Sequence, residues 1–347
     1  MDATMKDYRF LRACRKEEVD TVPIWIMRQA GRYMPQYQAI RGKYSFLKMC
    51  KTPDLATEVT LLPVEHLSVD AAILFSDILI PVEAMGIKVE FIDGRGPVLG
   101  ANIRSAKDVD DLLVPDPLEK TGFVMDAIKQ LRKELEGKVP LIGFSGAPFT
   151  LASYIVEGGG SKNFIKLKMI MYKEPDLFRN LMKKITSTVV DYLNAQIEAG
   201  VQAVQVFDTW AGILTPEDYR DYVFPYTKEV ISRLNRDGVP VIHFANESAT
   251  LLPVIRDLGA DVYGVDWRIN LDEAISLLGE DSVVQGNMDP TALFHPVERI
   301  EAIASAIIEK GRKSAGHIFN LGHGILPPTE VSHARALVEA VHRLGTR

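Results

Sequence analysis

Two arginines, an aspartate, a tyrosine and a histidine carry most of the chemistry legible in this chain. Arg28 and Arg32 stand in WIMRQAGRYMPQY, residues 25–37, at the end of the apolar run from Pro23 to Met27. A guanidinium stays protonated and can clamp a carboxylate or phosphate with two parallel hydrogen bonds. Two of them at the end of a buried strand make either an anion site or a structural salt-bridge cluster. The neighbouring Trp, Tyr and Met suit gripping a partner better than meeting water. Asp77 follows AAILFS and precedes ILIPVEAMG. An unpaired carboxylate between apolar runs is costly. It therefore pairs with Arg28 or Arg32, or it accepts hydrogen bonds from ligand N–H groups and handles charge. Tyr154, in GFSGAPFTLASYIVEGGGS, is a core aromatic or a site phenol. His323 lies between two glycines in FNLGHGILPPT, a setting better suited to ligand contact than to a core.

These residues fall at regular places in a recurring pattern. Helical segments end at Gly137, Gly200, Gly238, Gly259, Gly279 and Gly316, and a short apolar run follows each. Glycine past a helix end takes the left-handed conformation cheaply, so each reads as a helix stop leading into a strand. With the earlier runs VPIWIM and AAILF, strands are expected at about 22–27, 71–75, 139–144, 202–207, 239–244, 261–265, 282–286 and 317–321. Helices are expected from Thr52-Pro53 and over 119–136, 176–199, 216–236, 248–258, 297–313 and 329–344. The strands are apolar without alternation, as in a parallel sheet covered on both faces. Eight of them alternating with helices predict a single (β/α)8 TIM barrel spanning 1–347, with a doubly wound open sheet as the alternative. The stretch 82–104 breaks the pattern and predicts a β-hairpin inserted after the second strand, turning near Asp93-Gly94.

In such a barrel the chemistry sits just past the C-terminal ends of the strands. Those positions read Arg28, Ser76-Asp77, Ser145-Gly146, Asp208-Thr209, His243, Asp266, Gly286-Asn287 and Gly322-His323. His243 fits a satisfied barrel histidine, and Asp266 equally fits a helix cap. Gly158-Gly159-Gly160 reads as a flexible loop or lid hinge. GGGSK lacks the spacing of a phosphate-binding P-loop.

Composition narrows the function classes. Hydrophobic residues make up 47% and charged residues 25% of the 347, a plain globular profile. No apolar run approaches the ~20 residues of a membrane span. The N-terminus lacks a signal-peptide pattern. Two cysteines, Cys14 and Cys50, argue for a reducing, cytoplasmic setting and against a thiolate metal site. A net charge of −6 provides no general footprint for nucleic acid, so positive charge for an anionic substrate must be local. A metal-assisted enzyme would want ligand spacing, and neither HExxH nor CxxC is present. A metal-free enzyme acting on an anion remains, ahead of a binding-only barrel, because Asp77 beside cations is built for handling charge.

The motifs PIWIMRQAGRYMPQY, DAAILFSDIL, GFSGAPFTLASYIVEGGGS, VQVFDTWAG and FNLGHGI together resemble the uroporphyrinogen decarboxylase family over nearly the whole length. The resemblance implies a single (β/α)8 barrel that removes the carboxyl groups of the four acetate side chains of uroporphyrinogen III. The product is coproporphyrinogen III, and no metal or organic cofactor takes part. Carried across, the family's functional positions are Arg28, Arg32, Asp77, Tyr154, Thr209 and His323. Thr209 stands where the family often has Ser. The arginines would meet substrate carboxylates, and Gln29, Ala30 and Gly31 would line the same pocket. Asp77 would sit under the pyrrole N–H groups. The proton donor stays open among Arg28, Tyr154, His323, protonated Asp77 and a held water. A homodimer is a further implication. A related branch of corrinoid-dependent methyltransferases binds zinc through a His-x-Cys pair at the fifth strand, and His243-Phe244-Ala245 lacks that cysteine.

Overall fold

The apolar runs become strands of one parallel sheet. The computed structural model describes residues 8–92, 96–100 and 103–346. Among these, seven strands lie side by side in chain order: β1 (Ala72–Ile73), β4 (Leu141–Gly146), β5 (Ala203–Asp208), β6 (Val241–Ala245), β7 (Val262–Gly264), β8 (Val283–Met288) and β9 (Gly316–Leu321). Two more, β2 (Val89–Ile92) and β3 (Gly96–Leu99), pair antiparallel in a separate sheet. The expected turn at Asp93-Gly94 lies outside the described residues. The result is a curled, mostly parallel sheet clad in helices, a TIM-barrel-like α/β fold. Ile142, Ala203, Ile242, Val262, Val283 and Ile318, one from each of six strands, pack with Trp25 in one buried cluster.

The expected first strand, 22–27, does not form a ladder. It makes one parallel bridge, Ile24 with Phe319 of β9. Phe319 N–H donates to Pro23 O at 2.8 Å, and Trp25 N–H to Phe319 O at 3.3 Å. On its other side Ile24 O accepts from Asp70 N–H at 2.7 Å, just before β1. Pro23 has no N–H, and the Ile24 N–H goes to the Asp70 carboxylate at 2.8 Å instead of a backbone carbonyl. Two ladder positions are thereby lost, yet the segment still lies between the two ends of the sheet.

Helices form where expected, with informative exceptions. The helix Pro175–Ala199 buries Leu177, Leu181, Ile185, Val189 and Tyr192 along the stripe read from the sequence. The helix Pro53–Leu67 begins at its proline, but the Thr52 side chain makes no capping bond. The expected helix 216–236 is two, Pro216–Tyr222 and Phe224–Ser232, because Pro225 cannot donate to a preceding turn. The expected helix 248–258 is three short pieces around Pro253. Gly137, Gly200, Gly238, Gly259 and Gly279 take positive φ, as helix stops should. Gly316 does not: it opens β9, where a Cβ would stand 2.7 Å from Ala13 O, so close packing is its reason. Among the described residues no helix is long and apolar enough to cross a membrane.

Candidate active site

The turn after Met27 is built to present arginine. Arg28 has φ of +62°, a conformation that bulky L residues rarely adopt. Surrounding bonds hold it there. Gln29 N–H donates to Ile26 O at 2.8 Å, and the Gln29 amide bridges Ile26 N at 3.0 Å and Ala71 O at 3.1 Å. Tyr33 OH donates to Gln29 O at 2.6 Å, and Ile325 N–H to Met27 O at 2.9 Å. The Gln29 side chain is thus buried and committed to backbone, while Ala30 and Gly31 are half-buried. Trp25, Tyr33, Met34 and Tyr37 are buried as well, so these residues serve the core and not a partner, contrary to the sequence reading. Arg28 and Arg32 are both exposed. Neither guanidinium has an ion pair or hydrogen bond among the described residues, so no salt-bridge cluster forms.

Asp77 follows β1 and is half-buried. One oxygen accepts the Leu79 N–H at 2.8 Å. Burial raises its pKa to about 6, opposed by that bond and by the charge of Arg28. Tyr154, on the helix Pro148–Glu157, is half-buried, and burial followed by the Asp77 charge pushes its phenol up. His323, after β9, is lowered to about 4 by burial and then by Arg28 and Arg268. Arg28 therefore acts electrostatically on Asp77, Tyr154 and His323 alike, which places four of the expected residues in one field. Arg32 stands apart from this group: its charge acts on Tyr37.

Thr209 follows β5 and lines a cavity with Ser161, Lys162, Trp210, Asn246 and Glu247. Trp210 connects this cavity to the charged group. Its ring meets Tyr154 edge-on at 5.9 Å and Phe164 at 5.1 Å. The Trp210 backbone N–H donates to Thr150 Oγ1 at 3.2 Å, and the Thr150 hydroxyl donates to Asp208 at 3.0 Å. A run of rings crosses the same end of the sheet: Phe144 to Phe207 at 5.6 Å, Phe207 to Phe244 at 6.2 Å, and Phe244 to His323 at 6.3 Å. Trp267 meets the other side of His323 at 6.4 Å. The arrangement sets a carboxylate that titrates near neutrality and the unpaired Arg28 guanidinium beside a run of rings in which Phe144 and Phe244 are buried and Phe207, Trp267 and His323 are half-buried.

The rest of the polar ring is mostly engaged by the fold. Asp208 and His243 are fully buried, and one Asp208 oxygen accepts from Thr150. Its other oxygen and both ring nitrogens of His243 make no hydrogen bond among the described residues and lie 3.9 Å apart at their nearest, so His243 is not the satisfied barrel histidine expected. Asp266 is buried and accepts from the backbone N–H groups of Glu247 and Arg268, a loop clamp where a helix cap was an option. Asn287 donates to Asp266 O and Ile269 O. Gly158 and Gly159 are not a free hinge: Leu99 N–H donates to Gly158 O at 3.0 Å, and Val98 bridges Gly159. The sequence reading missed the aromatic run, and it placed Trp210 in a strand-end binding turn, Asp208 to Gly212, without a role of its own. A signal existed, since the expected strands 139–144, 202–207 and 239–244 each end in Phe. Among the described residues no three His, Cys, Asp or Glu side chains converge to hold a metal ion. Cys14 and Cys50 are buried and free.

Comparison with known proteins follows this geometry. The family profile for uroporphyrinogen decarboxylase (URO-D) matches residues 5–344. The chain is 54% identical to the uroporphyrinogen decarboxylase of Trichlorobacter lovleyi, covering 98% of this chain and 99% of that one. It is 56% identical to that of Carboxydothermus hydrogenoformans, covering 97% and 96%. Among solved structures, a methyltransferase from Methanosarcina mazei superposes with a TM-score of 0.83 at 23% identity, over 98% of both chains. A B12-independent methionine synthase from Shewanella sp. gives 0.55 at 12% identity, over 94% of both. These two share the fold. By the profile match and the full-length identities, the chain belongs to the uroporphyrinogen decarboxylase family.

Proposed function

We propose that this chain decarboxylates the four acetate side chains of uroporphyrinogen III to give coproporphyrinogen III in porphyrin and haem biosynthesis, without metal or organic cofactor. The observation that carries the reading, beside family membership, is the shared field of Arg28, Asp77, Tyr154 and His323. Arg28 and Arg32 hold substrate carboxylates, Ala30 and Gly31 line the approach, and the buried Gln29 holds the turn that presents them. Phe207, the half-buried phenylalanine of the aromatic run, meets the macrocycle, and Phe144 and Phe244 support it from the core. Asp77 accepts the pyrrole N–H groups. Protonation of a pyrrole ring carbon makes a cationic ring. The C–C bond pair of the departing carboxylate then flows into that ring as CO2 leaves, and Asp77 stabilises the cation by preorganised charge. The exocyclic methylene is then protonated to a methyl group, and the ring carbon gives up the proton it first took, which restores the neutral pyrrole.

The pKa values rank the proton donors. His323, lowered to about 4, is neutral at pH 7 and acts as a hydrogen-bonding partner. Tyr154 is pushed further from neutrality. Arg28 is a poor acid in water. Asp77, at about 6, is mostly ionised at pH 7 and is engaged as the carboxylate under the pyrrole N–H groups, which leaves a water held at Asp77 as the proton carrier. Thr209 supplies a hydroxyl at the edge of the site.

The fold reading extends in the same way. The bonds of Ile24 to Phe319 and Asp70 support an eight-position closed barrel, one domain over 1–347, with 22–27 as the eighth member. The β2–β3 pair supports a hairpin insertion after β1. A cytoplasmic homodimer with a tetrapyrrole substrate, and with neither nucleic acid nor membrane as partner, completes the proposal. The test is anaerobic incubation with uroporphyrinogen in the presence of a chelator, followed by mass analysis. Four successive losses of CO2 are expected. An unchanged substrate, or activity abolished by the chelator and restored by zinc, would overturn the reading.

A further inference from the structure

We infer that Lys162 is an additional substrate-binding residue, taking a rim carboxylate of the macrocycle on the side of the site away from Arg28 and Arg32; the inference rests on the substrate proposed above. Lys162 lines the cavity that also contains Thr209, Trp210, Asn246 and Glu247. It is exposed, and its ammonium has no ion pair or hydrogen bond among the described residues. The one carboxylate of that cavity, Glu247, is engaged by Arg268 at 3.0 Å. The cavity is therefore left with an unsatisfied cation.

Its position in the sheet gives the geometry. The segment bearing Arg28 joins β9 on one side and the residue before Ala71 and β1 on the other. Of the seven parallel strands, β6 is the middle one, three removed from either end. Asn246 and Glu247 follow β6 directly, and Thr209 and Trp210 follow its neighbour β5. Lys162 thus stands across the curled sheet from Arg28. A substrate with carboxylates around its whole rim cannot be fixed by cations on one side alone, because it could still pivot about them.

The loop that bears Lys162 is built and held. On one flank, β3 is docked on Gly158 and Gly159, and Gly159 has φ of +153° with Pro97 O 2.8 Å from where a Cβ would lie. On the other flank, Phe164 takes φ of +50°, is fully buried, packs on Trp210 and donates its N–H to Ser161 Oγ at 3.1 Å. A bulky residue held at positive φ carries strain that the surrounding packing must offset. The packing of Phe164 on Trp210 and its bond to Ser161 hold the loop that carries Lys162 at the cavity edge.

The test is steady-state decarboxylation by the full chain carrying K162A, K162M or K162R, at low and high salt, with thermal unfolding as a folding control. K162A and K162M should raise KM for uroporphyrinogen about fivefold with little change in kcat, and should flatten the salt dependence of KM. K162R should restore both. An unchanged KM and salt dependence in K162A, with the unaltered chain turning over uroporphyrinogen, would overturn this inference alone. No turnover by the unaltered chain would overturn the proposed function and this inference with it.

Discussion

The side chain of Arg28 lies against Gly324. A methyl group at 324 would stand 2.9 Å from Arg28 Cγ and 3.0 Å from its Nε. On the other side of His323, a methyl group at Gly322 would crowd Trp267, 2.5 Å from its backbone nitrogen. The two glycines that flank His323 therefore make room for neighbours. Gly324→Ala should displace the guanidinium without backbone strain, since Gly324 does not take positive φ. KM for uroporphyrinogen should rise about tenfold, the size of one charged contact. An unchanged KM would show that Arg28 keeps its place without this groove.

Asp77 should trade stability for function. Its pKa is raised from 3.8 to about 6 by burial, so the folded state binds the proton more tightly than the unfolded one. The unaltered protein therefore loses stability as pH rises from about 4 to 6, and the loss is complete above that window. Asp77→Asn removes the buried charge. It should stabilise the fold at pH 7.5 by about 1 kcal/mol, allowing for partial exposure, and by nothing below pH ~4. Turnover should fall by a factor on the order of 100 or more. Thermal unfolding across pH and a turnover assay would check both. Near-normal turnover would remove Asp77 from its electrostatic role.

The acid limb of the activity profile should belong to Asp77. Activity that needs its carboxylate should decline as pH falls through about 6, while His323, already neutral above about 4, should add no limb near 6.5. Arg28 lowers the Asp77 pKa, so Arg28→Met should move the limb upward. A limb that stays in place in the variant would mean that the two groups are not coupled.

Trp210 should matter through Tyr154. Its ring meets Tyr154 and Phe164, and its backbone N–H is held through Thr150 to Asp208, a bond that substitution of the side chain leaves in place. Trp210→Ala leaves a hole between two rings and should cost about 3 kcal/mol of stability. Trp210→Phe should keep most of that stability, yet lower kcat by about tenfold if Tyr154 has to be placed accurately. Equal kcat in Trp210→Phe and the unaltered chain would make the contact a packing matter only.

Arg32 should behave unlike Arg28. It is exposed and lies outside the field that joins Arg28 to Asp77. Arg32→Ala should raise KM in a salt-dependent way and leave the acid limb where it was. A displaced limb would place Arg32 within the charged group.

Much of this was readable along the chain because the signals are local. A glycine after a helical segment and a short apolar run report their own conformations, and they located β1 and β4 to β9. The resemblance carried by the five motifs named Arg28, Asp77, Tyr154 and His323, and the fold brings them into one field. The missing ladder at 22–27 depends on Asp70 reaching Ile24 N–H across a gap of many residues, which no local pattern encodes. The same holds for the charges. Arg28 and Arg32 read alike in sequence, but only tertiary structure placed Arg28 beside Gly324 with its charge acting on Asp77, while the charge of Arg32 acts on Tyr37. A pKa is set by burial and by distant charges, and so is the choice between a clamp and a salt bridge. Residue type and spacing determined what chemistry was available, and packing decided which groups could use it.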